Sequence, residues 1–389
     1  MNGQTVVPPE LNKHMIRIFK EFHEHPELCH QESWTTKRIK AELTRIGIPL
    51  LDFPIKSGVV AELGTDGPII ALRADIDALP LQEESGLPYQ SKIAGVAHAC
   101  GHDFHITALL GAAKLLKTQE SQLKGRIRFI FEPGEERHVG AVEMIAAGVL
   151  KNVKAISGIH NMPTLPVGTV GIKTGKLMAS NDNFDVTITG VGSHAAMPQT
   201  GRDPIVATAS IIMLLQTIVS RNISPSDRLV LTVGQIRGGH TNNVIPETVG
   251  FKGTIRAFSA TDRKLAKKRF YEIVNQTAAA YDQSAAISWD QGPAPVDNNE
   301  DVTDIIQHAA ETFMDVVPAI PSNADDDFAT YEEYVPGCYA FMGSQGQSNL
   351  HHPDMIANPD GLQYAAKYHE QAALALLNAL NHHESFERD

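Results

Sequence analysis

The 389-residue sequence is short of several features that would point a reading elsewhere. It holds three cysteines, Cys29, Cys100 and Cys338, odd in number and far apart. That argues against a disulfide framework and leaves metal binding or plain burial for the thiols. No cluster of Lys and Arg would track a phosphate backbone, and 33 basic against 45 acidic residues give a net charge of −12 with His neutral. Nucleic acid is therefore not an expected partner. The opening segment MNGQTVVPPELNKHMIRIFKEF lacks the apolar core of a signal peptide, and no later stretch is expected to reach a membrane span's length without polar interruption. The expectation is a cytoplasmic protein with no membrane partner. Neither an internal repeat nor a low-complexity segment is present. Histidine, by contrast, is plentiful, with seventeen residues.

A chain of this length exceeds the size at which one core usually keeps growing, so two domains are expected, and 42% hydrophobic content is ample for both. The runs IIALRA (69–74), RIRFIF (126–131) and AISGIH (155–160) read as strands, and helical patterns such as ITALLGAAKLLKTQ lie between them. This alternation implies an α/β layer with a mixed, mostly parallel sheet and helices on both faces. From Asn183 the rhythm changes: FDVTITG, a long helix DPIVATASIIMLLQTIVSRN, strands RLVLTVGQI and VGFKGTIRA, a helix DRKLAKKRFYEIVNQTAAAY and a strand AAISWD. That βαββαβ order is a split βαβ, ferredoxin-like sandwich. After QGPAPVDNN the first rhythm returns, with a helix near 301–314, a strand at CYAFMG and a last helix from Asp360. The simplest organisation is a discontinuous catalytic domain, 1–180 and 292–389, interrupted by an inserted domain, 181–291.

Within this frame HACGHDFH (98–105) crowds three histidines, a cysteine and an aspartate into eight positions. His102 and His105 are read as lying just before a helix that begins near Ile106, in a loop at the end of an α/β layer, where ligands usually bind. Thiolate, imidazole and carboxylate are the donors that select zinc or a neighbouring transition ion. The plain alternative is a buried Cys100 with solvent-facing histidines. Other segments add weight to the metal reading. RIRFIFEPGEER ends a strand with Glu132, Glu135 and Glu136, adjacent acids that repel one another unless a cation lies between them. AISGIHNMP ends a strand at His160, and SNLHHPDM offers His351 and His352 before the last helix.

RADIDALP (73–80), HACGHDFH, FEPGEE, GIHNMP, GVGSHAAMP, NNVIP and LHHP, in this order over nearly the full length, resemble the dinuclear metal amidohydrolases. These include hippurate hydrolases, indoleacetyl amino acid hydrolases and N-acetyldiaminopimelate deacetylases, related to aminoacylases and glutamate carboxypeptidases. The resemblance implies two divalent ions per subunit, manganese or zinc with nickel and cobalt as alternatives, held by Cys100, His102, Glu136, His160 and His351. It implies Glu135 as catalytic acid and base and Asp75 as a supporting carboxylate. Three departures stand out: FEPGEE in place of the more usual FQPAEE, which makes Glu132 a third acid, DDDF where a stretch like SEDF is usual, and Cys338 in PGCYAF with no ligand nearby. Cys29 and Cys338 are read as buried structural residues, and His23 and His25 as part of a helix end with no ligand role.

The resemblance further implies that His194, from the inserted domain, stabilises the oxyanion. Arg256, at the end of GTIRA, could grip a substrate carboxylate with help from Asn243, against the plainer reading of a surface salt bridge. An apolar stripe over 204–219 belongs to the inserted-domain core or to a dimer seam. The expected assembly is a homodimer through that domain, with His194 acting on the neighbour's centre. The leading activity is hydrolysis of N-acyl, above all N-acetyl, amino acids. A dipeptidase or carboxypeptidase would use the same machinery, and a non-catalytic metal protein is the competitor from another class. The spare carboxylate Glu135 argues against the last, because metal binding alone needs only the ligands.

Overall fold

The structure, a computed structural model, describes residues 5–382 and residue 386. The chain forms two compact units: one comprises Met1–Leu177, Val296–Ile320 and Asp326–Asp389, the other Met178–Pro295 and Pro321–Asp325. The second return of the chain, at 321–325, has no counterpart in the sequence patterns.

The first unit is built on an eight-stranded sheet in the order Leu50–Leu51, Val59–Leu63, Arg126–Glu132, Ile69–Asp75, Val153–Met162, Gly337–Gly343, Thr169–Ile172 and Asp315–Pro318. Arg126–Glu132, Ile69–Asp75, Val153–Met162 and Gly337–Gly343 are mutually parallel, and antiparallel pairs flank them. The mixed, mostly parallel sheet expected from the alternating strands and helices is thus present. Every residue of Ile69–Asp75 is buried, as a strand covered on both faces requires. Its alternation sorts the two faces. Ile70, Leu72 and Ala74 join the core formed with helices Pro9–Glu24, His102–Lys117 and Leu362–Asn381, whereas Arg73 points to residues beside the short helices Gly140–Ala146 and Phe328–Glu332. The parallel strands end at Asp75, Glu132 and just beyond His160, so their carboxyl ends bring the chemistry-bearing segments together.

The second unit has a four-stranded antiparallel sheet, Leu229–Gly238, Thr248–Ala257, Ser180–Thr189 and Ser284–Gln291. Phe184, Val186 and Ile188 alternate inward and pack against helices Pro204–Thr217 and Ala260–Ala280. Asp203 caps the first helix, its carboxylate accepting the Ile205 N–H at 2.8 Å with Pro204 at the first helical position. The helix read as continuous over 203–222 changes at Thr217 into a π-helical turn, Ile218–Asn222. By length and composition alone Pro204–Asn222 is apolar enough to cross a membrane, with Thr208, Ser210, Gln216 and Arg221 interrupting the run. Arg221, next to its end, is the one charged residue in it, so the interruptions lower its hydropathy little. One side, including Ala207, Ile211 and Leu215, is in the unit's core, while Ile205, Val206, Met213 and Leu214 are exposed.

Candidate metal centre

Gly101 sets the local path. Its φ of +97° suits glycine, and a Cβ there would sit 2.7 Å from the Asn161 side-chain nitrogen. The helix begins at once at His102, with the N–H groups of Phe104 and His105 donating to the Gly101 carbonyl at 2.9 and 3.1 Å. His102 and His105 therefore occupy the first turn of the helix, three residues apart on one side, rather than a loop before it. Asp103 turns elsewhere, to His23 at 2.6 Å. His25 caps the helix Pro9–Glu24.

Two of the three expected imidazole ligands are prepared in the same way. His102 donates from Nδ1 to the Asp77 carbonyl at 2.8 Å, and His160 donates from Nδ1 to the Asn161 carbonyl at 2.7 Å. Each then directs Nε2 inward. His160 Nε2 lies 3.5 Å from Cys100 Sγ. His102 Nε2 is buried with no hydrogen-bond partner among the described residues and has Asp75 Oδ2 at 3.7 Å and Glu135 Oε2 and Glu136 Oε1 at 3.8 Å. Glu136 Oε1 is likewise buried and unsatisfied, and donor atoms of Cys100, His102 and Glu136 lie within 4.8 Å of one another. His351 Nε2 is 3.6 Å from Glu136 Oε1, whereas His352 bonds Asp354. Soft thiol, imidazoles and carboxylate facing one another with orphaned inner atoms fit a divalent transition ion.

Electrostatics agree with that fit. Burial first, then Asp326, Glu136 and Asp327, push the Glu135 carboxyl well above its usual range. Burial also takes Glu136 up to about 7 and raises the Cys100 thiol, with Glu136 and Glu135 adding to it. For His102, burial opposes the charge but Asp75, Asp77 and Glu136 outweigh it and raise the imidazole to about 10. Acids crowded in a buried place hold protons that a cation would displace.

Asp75 is fully buried, accepting from His105 Nδ1 at 2.6 Å and from Arg73 Nη1 at 2.7 Å. His105 Nε2 accepts the Asn161 N–H at 2.7 Å, so both of its ring nitrogens are used and it orients Asp75. Sequence reasoning missed Asp77. Its carboxylate accepts the Glu135 N–H at 3.1 Å on one oxygen and the Glu136 N–H at 3.2 Å on the other, which fixes the turn after Gly134. The signal was in RADIDALP, where two aspartates two residues apart in an extended chain share a side. Glu132, whose place beside the usual pattern was unexplained, is the partner of Arg73 Nε at 2.7 Å, and Asp326 and Asp327 of DDDF meet the same guanidinium. Cys338 is fully buried, and Cys29 is half-buried with its sulfur against Gly134.

His194, Asn243 and Arg256 belong to the other unit. His194 is exposed, on a short strand paired with Val244–Ile245, and its Nδ1 accepts the Ala196 N–H at 3.0 Å. It lines a cavity of about 1200 Å³ with Arg237 and His240. Asn243 adjoins it, its carbonyl accepting the Ala195 N–H at 3.0 Å. Arg256 stands apart on the strand Thr248–Ala257 and pairs with Asp325, so in this structure its guanidinium is engaged within the unit.

Residues 71–375 match the model of the peptidase family M20/M25/M40. The chain is 45% identical over 372 residues to the N-acetyl-L-cysteine deacetylase of Bacillus subtilis, covering 95% of this chain and 89% of that protein. It is 35% identical over 376 residues to the hippurate hydrolase of Campylobacter jejuni, covering 95% and 98%. Among solved structures, the YXEP protein of Bacillus subtilis, a dinuclear metal binding peptidase from the M20 family, superposes with a TM-score of 0.86 at 38% identity, covering 95% of this chain and 99% of that one.

Proposed function

The chain belongs to the peptidase family M20/M25/M40, and from that membership we propose that it hydrolyses N-acyl amino acids, N-acetyl ones foremost, to a carboxylic acid and a free amino acid. It is a hydrolase of that family. The acetyl preference, and a small or sulfur-containing amino acid as the other half, are supported by the similarity to an N-acetyl-L-cysteine deacetylase. The observation that carries the chemistry is the pair of buried, unpartnered atoms, His102 Nε2 and Glu136 Oε1, beside a second carboxyl, Glu135.

In this reading Cys100, His102, Glu136, His160 and His351 hold two divalent ions, manganese or zinc. Such ions, when bound, make water acidic enough to act as a nucleophile near neutrality and stabilise a developing oxyanion. Glu135, aimed by Asp77, takes a proton from the attacking water and returns it to the leaving amine. Asp75 keeps the His102 side of the site in register through its bonds to His105 and Arg73. Because His194 Nδ1 accepts a backbone N–H, its proton sits on Nε2, from which it donates to the oxyanion. Asn243 and Arg256 grip the substrate carboxylate, Arg256 exchanging Asp325 for it. The protein works in the cytoplasm as a homodimer in which His194 serves the other subunit. The exposed side of the 204–217 helix, with Met213 at 71% exposure, supports that seam.

The test is hydrolysis of N-acetyl, N-benzoyl and N-indoleacetyl amino acids alongside dipeptides, by protein loaded separately with Mn and Zn. Turnover should be fastest on N-acetyl substrates. Cleavage of dipeptides with every N-acyl amino acid left intact would replace this reading with a dipeptidase.

A further inference from the structure

The fully buried Arg73 guanidinium meets four carboxyl groups: Asp75 on Nη1 and Glu132 on Nε, each at 2.7 Å, with Asp327 at 2.9 Å and Asp326 at 3.4 Å on Nη2. Three of these acids have donors of their own. Asp75 has His105 Nδ1 at 2.6 Å, Asp326 has the Tyr339 hydroxyl at 2.6 Å and the Phe328 N–H at 2.8 Å, and Asp327 has the Ala141 N–H at 3.1 Å. Glu132 is different. Its Oε1 is buried and finds no donor of hydrogen-bond geometry among the described residues. Its side chain faces the Asp327 carboxyl and the Tyr331 hydroxyl. The fit is tight, since a Cβ on Gly140 would come within 2.7 Å of that oxygen.

One guanidinium cannot balance four carboxylates shut away from water, and a buried carboxylate with one oxygen left unsatisfied is driven towards its protonated form. At position 132 the pattern this chain resembles has glutamine, whose amide brings a donor of the same shape. A protonated glutamate restores that donor, as O–H in place of N–H. We propose that Glu132 and Asp327 hold one proton between them, so that the pair carries a single negative charge and positions Arg73, and through it Asp75. The groups facing the pair are Arg73 and Asp75 from one strand, Tyr339 from another, Asp326 and Tyr331 from the segment carrying Asp327, the Ala141 N–H, and Glu135 within 4.8 Å of Asp327. Burial raises both carboxyls, and Glu132 and Asp326 add to the effect on Asp327 while Arg73 opposes it.

The sign for stability follows. Unfolded, both carboxyls ionise near their ordinary values; folded, the pair keeps a proton. Stability from this source is full at acid pH and falls as pH rises, until the folded pair releases its proton.

The test uses the metal-loaded enzyme, Glu132→Gln, Asp327→Asn and the double variant. Wild type should show an infrared carboxylic C=O band, sensitive to deuterium, at about pH 8, where ordinary carboxyls are ionised. Each single amide variant should fold and lose the pair's share of that band, read as the wild-type minus variant difference, while the carboxyls of Glu135 and Glu332, also raised by burial, contribute equally to both spectra. The folding constant of Glu132→Gln should gain about tenfold per pH unit relative to wild type between about pH 5 and 8. Hydrolysis by Glu132→Gln should stay within about twofold of wild type, whereas the double variant, which leaves Arg73 one charge short, should lose about tenfold or more. A wild type without the band, parallel stability profiles, failure of both single variants to fold, or a double variant as active as the singles would each overturn the proposal. The infrared and stability readouts are independent of the substrate, so they separate its failure from failure of the functional reading.

Discussion

Asp77 receives the Glu135 N–H at 3.1 Å on one carboxylate oxygen while its own main-chain carbonyl takes the Nδ1 proton of His102. One residue thus sets the direction of a proposed base and of a proposed ligand. Asp77→Asn would present an amide N–H to a backbone N–H that needs an acceptor. Metal affinity or turnover should fall about 10- to 100-fold with the fold intact by circular dichroism. Unchanged binding and unchanged turnover would remove Asp77 from this role.

Glu135→Gln should keep its metal and lose nearly all hydrolysis, because the amide has the shape of the acid but cannot accept a proton. Glu136→Gln should also lose metal. Elemental analysis beside kinetics distinguishes them, and an active Glu135→Gln with metal content equal to that of Glu136→Gln would mean the two roles are misassigned.

Of the neighbouring histidines, His351 faces Glu136 and His352 faces Asp354. His351→Ala should therefore be depleted of metal and His352→Ala should not. Depletion in His352→Ala alone would overturn the register.

Metal affinity should fall with pH. Glu136 holds its proton up to about 7 and His102 up to about 10, and the Cys100 thiol is raised by burial. Ligands must lose protons to bind, so binding releases them, and affinity drops about tenfold per unit for each proton displaced as pH decreases. Calorimetry in buffers of different ionisation enthalpy counts those protons; release of none would contradict the proposed ligand set.

Subunit exchange tests where His194 acts. Mixing Glu135→Ala with His194→Ala after reversible dissociation yields half mixed dimers at random, each with one complete site if His194 acts across the seam. About a quarter of wild-type activity should return. Full exchange with no recovery would confine His194 to its own chain.

The sequence makes the strands and the ligand residue types legible because both leave local marks: β-branched runs, and unusual side chains at strand ends. What it hides is non-local. Arg73 and Glu132 are 59 residues apart, and Arg73 and Asp327 are 254 apart; nothing in RADIDALP or DDDF says that they meet. The start of the helix at His102 is hidden for another reason. Its first turn, HDFH, is polar, so the apolar run begins only at Ile106, while the real start is set by the left-handed backbone of Gly101. Asp77 leaves no local mark of its own, because its role rests on accepting the N–H groups of Glu135 and Glu136, 58 and 59 residues away.

The border between the units passes between Asp325 and Asp326, and the pentapeptide Pro321–Asp325 belongs to the smaller unit although the chain on either side does not. Asp325 meets Arg256 and Asn181 there, while Asp326 meets Arg73 and Tyr339. The smaller unit is therefore not a cassette with two cut points. Swapping 178–295 alone between relatives would strand Asp325 in the recipient and leave Arg256 to whatever residue the host supplies. A genetic crossover anywhere from 296 to 320 separates the two halves of that pair, so a lineage that trades this module must inherit both pieces together or re-evolve one of them.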